Sequence, residues 1–218
     1  MDRPRDRPSP DLRETSRIEA FSDGVFAIAI TLLVLDLKVP HDMAAGRDLL
    51  AALSRQWPAY LAFVTSFATI GIMWINHHRL FTLIRRTDDG LLILNGLLLL
   101  GVTFVPFPTG IVAEYTPRAA RHVAAAVYSG TFVMIAVVYN RLWWYAAHRK
   151  RLLSHAADPA VVDAITRGYA FGPLLYALAF GLAFVSVAAS LAMNLALALF
   201  YAMPSQNPLV KTVSGGAR

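Results

Sequence analysis

The sequence predicts an all-α integral membrane protein with six transmembrane helices per subunit. Three observations predict it. Hydrophobic residues make up 56% of the 218 and charged residues only 16%, where a soluble domain carries about 25% charge. The apolar residues gather into runs close to the roughly 20 needed to span a bilayer, and mean hydropathy is +0.50. The lysines and arginines between those runs fall mostly on alternate loops, as membrane orientation requires.

Residues 1–16, MDRPRDRPSPDLRETS, are rich in proline and arginine and hold no apolar run. They are expected to form a disordered cytoplasmic tail. No apolar region with a cleavage site follows the arginines, so this is not a secretory signal. Residues 17–204 are the expected six-helix domain, and 205–218 a second cytoplasmic tail.

The first span is expected from about Ile18 to Leu37, closed by Val39-Pro40. After a polar loop holding Gly46, Arg47 and Asp48, Trp57-Pro58 suits the start of a second span, which is expected to run to about Asn76. Asp88-Asp89 are good helix-starting residues for a third, which Pro106 and Pro108 are expected to stop. The fourth is expected over His122 to Tyr139, with Trp143, Trp144 and Tyr145 as an interfacial belt.

A polar, amphipathic connector follows, through Arg149-Lys150-Arg151 to Arg167. Gly168 to Met203 holds no charge. At 1.5 Å per residue it is roughly 54 Å long, slightly short of two spans of about 30 Å. Two short helices meeting near Gly181–Ser190 are expected there.

Of the 20 lysines and arginines, 15 fall on one side of this topology and 5 on the other. The positive-inside rule then places both termini in the cytoplasm of a multi-pass protein of the cell (plasma) membrane. The net charge of +6 is thereby orientation rather than a nucleic-acid site. With no cysteine in the chain, disulfides, Cys-ligated zinc and thiol catalysis are excluded. No convergent set of nucleophile, base and metal ligands is present, so an enzyme is not expected. A secondary transporter is the alternative to a channel, although it is expected to show repeat symmetry and interrupted helices near the midplane.

The rest of the chain is organised around Arg17 to Pro40, RIEAFSDGVFAIAITLLVLDLKVP. From Val25 to Leu35 only Thr31 is polar. An ionised Asp23 at membrane depth is costly unless it pairs or meets water, so this helix faces protein or a pore. At 100° per residue Ile28, Thr31, Leu32 and Leu35 share one face within about 80°, which Gly24 and Phe21 continue. Asp23 is expected to point roughly the other way, into neighbouring helices.

Arg17-x-x-x-Phe21-Ser22-Asp23-Gly24, with Trp74-x-x-His77-His78 at the end of the second span, resembles the transmembrane protein 175 family of potassium channels. The match in helix number and order covers nearly the whole chain; its specific motifs lie in the first two spans. One set of six helices is similar to the prokaryotic members. The resemblance implies a homotetramer in the lipid bilayer, lined by the first helices and closed by hydrophobic side chains. It implies potassium as the permeant ion and no cofactor.

Four copies of the helix would then stack apolar rings at Ile28, Leu32 and Leu35 over roughly 10 Å, with a hydroxyl ring at Thr31. Such a neck gates by dewetting. The chain has no TVGYG-type filter, so selectivity is expected from partial dehydration, potassium surrendering water more cheaply than sodium. Thr31 either replaces some of that water or bonds its own helix at the Ala27 carbonyl.

Arg17, Ser22, Asp23, His77 and His78 are expected to share one depth and form a buried cytoplasmic-end network, in which Asp23 and Ser22 meet Arg17 or the histidines. Loss of Asp23 from such a network costs about 3–5 kcal/mol. A metal at His77-His78 is not expected, because adjacent histidines face different sides of a helix. Asn95, Asn140 and Asn194 are expected to make inter-helix hydrogen bonds.

Overall fold

A computed structural model describes residues 10–40, 49–116, 118–148, 152–154 and 156–202. The polar loop at 46–48 and the tail at 205–218 lie outside the described residues. Helix α1 runs Pro10–Leu32 and tightens into a 3-10 turn over Leu33–Asp36. There follow α2 (Leu49–Arg55), α3 (Trp57–Leu83), α4 (Asp89–Phe104), α5 (Pro106–Tyr115), α6 (Arg121–Ala147), α7 (Pro159–Ala170), α8 (Gly172–Leu182) and α9 (Val187–Ala202).

Among the described residues, four segments are long and apolar enough to cross a membrane: Thr15–Asp36, Trp57–Leu83, Asp89–Tyr115 and Arg121–Ala147. Helices α8 and α9 are shorter, with 11 and 16 residues. They meet at the turn between Leu182 and Val187, inside the interval expected from the sequence.

Several boundaries differ from expectation, each for a local reason. Helix α1 begins at Pro10, so 10–16 are helical and not part of a disordered tail; proline is admissible in a helix's first turn. Helix α3 continues to Leu83, which puts His77 and His78 inside the helix instead of at its end. Pro106 does not stop the third span. Val105, between α4 and α5, keeps right-handed helical angles (φ −55°, ψ −39°), so the helical path continues through the prolines, as membrane helices tolerate.

Trp143 is not an interfacial residue. It is 1% exposed, and its Nε1–H donates to Thr166 Oγ1 of α7 at 2.9 Å. Trp144, on the next face, is the exposed one. Asp88 caps α4 as anticipated, accepting the Leu91 N–H at 2.9 Å. Helix α7 is amphipathic, with Val161, Val162 and Ile165 buried.

Helix α1 packs on α3 and α4, while α6 lies at the centre of the bundle against α4, α5, α8 and α9. Small and polar residues hold these crossings, as expected where lipid removes the hydrophobic preference for helix contact. A Cβ at Gly101 of α4 would stand 2.8 Å from Ile135 Cγ1 of α6, so only glycine permits that approach. Ser190 Oγ donates to Ala179 O of α8 and receives the hydrogen of Ser129 on α6, which accepts from Asn194 Nδ2. Asn140 Nδ2 donates to Tyr169 O. The lone amides are therefore inter-helix ties.

Candidate functional site: the exposed face of the first helix

Helix α1 carries two opposed stripes. Ser22, Phe26, Ala29 and Leu33, spaced four, three and four apart, are buried in the subunit. On the other side Ile28 is 58% exposed, Leu32 40% and Leu35 73%, with Phe21, Gly24 and Thr31 also exposed. Ile30 is partly buried and packs against the core. A stripe of large apolar side chains left uncovered by the single chain must meet lipid, another subunit or a dewetted pore.

The 3-10 turn alters the geometry of this stripe. Residues advance about 120° and about 2.0 Å each there, so Leu35 stands directly above Leu32. The stretch from Ile28 to Leu35 lengthens to about 12 Å, against the roughly 10 Å of a continuous α-helix. Thr31 Oγ1 donates to Ile28 O at 2.8 Å. Of the two roles left open for Thr31 the chain adopts the self-bonded one, through Ile28 rather than Ala27. Its hydroxyl oxygen keeps free lone pairs.

At the other end of the helix the polar residues separate into two sets. The buried set is Ser22, Asn95 and His77. The Asn95 carbonyl accepts from His77 Nε2 at 2.9 Å, and its Nδ2 donates to Ser22 Oγ at 3.1 Å. His77 therefore carries its hydrogen on Nε2, and its ring stacks on Phe81 at 4.4 Å.

The outer set is Asp23, Trp74 and His78, all exposed, with the half-buried Glu19. Trp74 Nε1–H donates to Asp23 Oδ1 at 2.7 Å. Its ring lies against His78, whose Nδ1 is 3.9 Å from Glu19 Oε2. The two histidine rings do not converge, since one faces the core and the other the surface.

Two expectations need correction. Asp23 is exposed and not part of a buried network, and Arg17 is exposed with no ion pair among the described residues. Asp23 lies on an exposed side of α1, where the Trp74 N–H donates to it. Asp23→Ala should therefore cost about 1 kcal/mol, the worth of one hydrogen bond. Asp23→Asn, which keeps an acceptor for Trp74, should cost less. Thermal melting of the purified protein measures both; a loss of several kcal/mol would mean that the carboxylate is buried after all.

Asn95 makes the inter-helix hydrogen bonds expected of it, joining α1 to α3 through α4, with Ser22 and His77 as the partners that composition alone does not name. The signal was present: one amide set among leucines in GLLILNGLLLLG, as expensive at membrane depth as an unpaired histidine.

A helical membrane protein with an apolar stripe on its first long helix, and a buried polar tie at that helix's end, is the class so defined. Over residues 17–106 the chain matches the family model described as the endosomal/lysosomal potassium channel TMEM175. It is 55% identical to a potassium channel of Chamaesiphon minutus over 198 residues, 90% of this chain and 98% of that one. It is 48% identical to a potassium channel of Streptomyces collinus, covering 77% and 81% of the two chains. The crystal structure of a lysosomal potassium-selective channel TMEM175 homolog from Chamaesiphon minutus superposes with a TM-score of 0.80 at 53% identity, over 87% of this chain and 97% of that one. The chain belongs to the TMEM175 family.

Proposed function

We propose that this chain is a potassium-selective, leak-type cation channel that assembles as a homotetramer around the exposed face of α1. The observation that carries the proposal is the uncovered stripe Ile28, Leu32 and Leu35, set opposite a fully buried stripe on the same helix. Four such stripes around an axis would form a neck whose walls offer water no hydrogen bonds, so water leaves it unless the neck widens. Thr31, its hydrogen committed to Ile28 O, presents only acceptor lone pairs to the axis, the polarity a cation requires. The potassium-channel relatives at 55% and 48% identity support the choice of ion.

In this reading α8 and α9 supply the fifth and sixth crossings. Helix α8 is continued toward the polar face by α7, because Phe171 between them keeps helical angles. Both termini are cytoplasmic. Reporters fused after residue 204 and inserted beside Arg118 should report opposite sides of the cell membrane; the same side would remove one crossing.

The function is tested in liposomes holding purified protein under a potassium gradient. Potassium should run down its gradient, with the reversal potential following potassium rather than sodium or protons. Flux stoichiometrically coupled to protons or sodium would make the protein a secondary transporter instead.

A further inference from the structure

At the end of the bundle remote from Arg17 and His78, residues of α3, α5, α6 and α9 line an open groove of about 640 Å³. Its walls are mainly apolar: Leu61 on α3, Val112 on α5, and Ala188, Leu191, Ala192 and Leu195 on α9. Trp57 and Arg121 stand at its rim, both exposed.

Most of the polar groups in the groove's wall are already engaged, Thr65 being the lining hydroxyl left over among the described residues. Thr116 Oγ1 donates to Val112 O at 2.6 Å, and Tyr128 is hydrogen-bonded to Ser66. Ser186 Oγ accepts the Ala189 N–H. His122 lies 2.8 Å from Ala183 O through Nδ1; a carbonyl only accepts, so Nδ1–H is the donor. Water in the groove would find few partners, and a volume of roughly 300–1,000 Å³ with apolar walls suits one apolar ligand. The Arg121 guanidinium has no ion pair among the described residues. Arg118, three residues earlier, is paired with Glu114 at 3.1 Å.

We propose that this groove is a phospholipid site: an acyl chain lies between α3 and α9, and the anionic headgroup phosphate rests on Arg121. Arginine is the side chain best matched to a phosphate, through its planar pair of N–H donors. Trp57 at the rim belongs at the depth where headgroup meets hydrocarbon. Charge complementarity at the rim and a mainly apolar wall both select a lipid. A soluble anion gains nothing from the walls, and a neutral hydrocarbon gains nothing from the guanidinium.

The test is native mass spectrometry of the delipidated, assembled protein titrated with palmitoyl-oleoyl phosphatidylglycerol, with the matching phosphatidylcholine as comparison. One phosphatidylglycerol per chain should be retained in preference to phosphatidylcholine. Arg121→Gln should weaken that retention about tenfold. Arg118→Gln, the same loss of charge at a paired arginine outside the groove, should leave it unchanged. Ala192→Phe, which fills the groove, should remove tight binding of both lipids while the assembly stays intact.

Equal loss in the two arginine variants would overturn the proposal, since it would mean diffuse charge attraction. Undiminished binding in Ala192→Phe would place the lipid elsewhere. Dissociation of the assembly by Ala192→Phe would mean that a neighbouring chain occupies the groove, and would overturn the proposal equally. A missing potassium current would leave these readouts unaffected, because none of them depends on conduction.

Discussion

Asn95→Leu is expected to destabilise the protein by about 2–6 kcal/mol, because it leaves two buried polar groups unpaired at about 1–3 kcal/mol each. Those groups are the His77 Nε2–H and the Ser22 hydroxyl. For a chain of this size the melting temperature should fall by about 10 °C. Adding His77→Leu should cost little more, since the residues share one network and their effects do not add. A melting curve unchanged by Asn95→Leu would show that α1, α3 and α4 are held by apolar packing alone.

Ile28→Asn is expected to change conduction most. In the proposed assembly it places an amide on the exposed stripe of each subunit, which would wet the ring and let ions keep more of their hydration. Current should rise at least about tenfold, the effect of about 1.4 kcal/mol on the barrier. Discrimination against sodium should weaken. Ile30 is the control, two residues on and turned into the core. Ile30→Asn buries an amide at a cost of about 1–3 kcal/mol and should lower stability while leaving ion preference alone. Reversal potentials under potassium/sodium gradients, with melting curves, separate the two. A selectivity change in Ile30→Asn but not in Ile28→Asn would mean the face is misassigned.

Much of this was legible in the sequence because a bilayer simplifies the reading. A helix in lipid satisfies its own backbone, so apolar runs mark the long helices, and a 100° step finds the exposed stripe Ile28, Leu32 and Leu35. Register within that stripe survived even the change to a 3-10 turn, since three steps of about 120° return Leu35 to the azimuth of Leu32.

What composition does not encode is which neighbour a polar side chain meets. Asp23 and Ser22 are adjacent, and a rotation of 100° sends one to the surface and the other to Asn95. The partner, on α4, lies 73 residues away. Local signals mislead where a tertiary one overrides them. Pro106 is a helix stop in water, but here Val105 carries the helical path across it. Trp143 has an interfacial composition, yet α7 folds back and gives its indole N–H a partner in Thr166.

The proposed ion path runs along the Ile28–Leu35 face of α1. The chain has no cysteine, so a single introduced thiol is the only one present. Thr31→Cys and Leu35→Cys place it on that face, and Ile30→Cys places it off the face. Potassium current is recorded while a small, positively charged methanethiosulfonate reagent is applied. Modification should block current through Thr31→Cys and Leu35→Cys, more slowly when potassium is high, and leave Ile30→Cys conducting. Block of Ile30→Cys with both on-face variants unaffected would contradict the account and move the ion path off this face of the first helix.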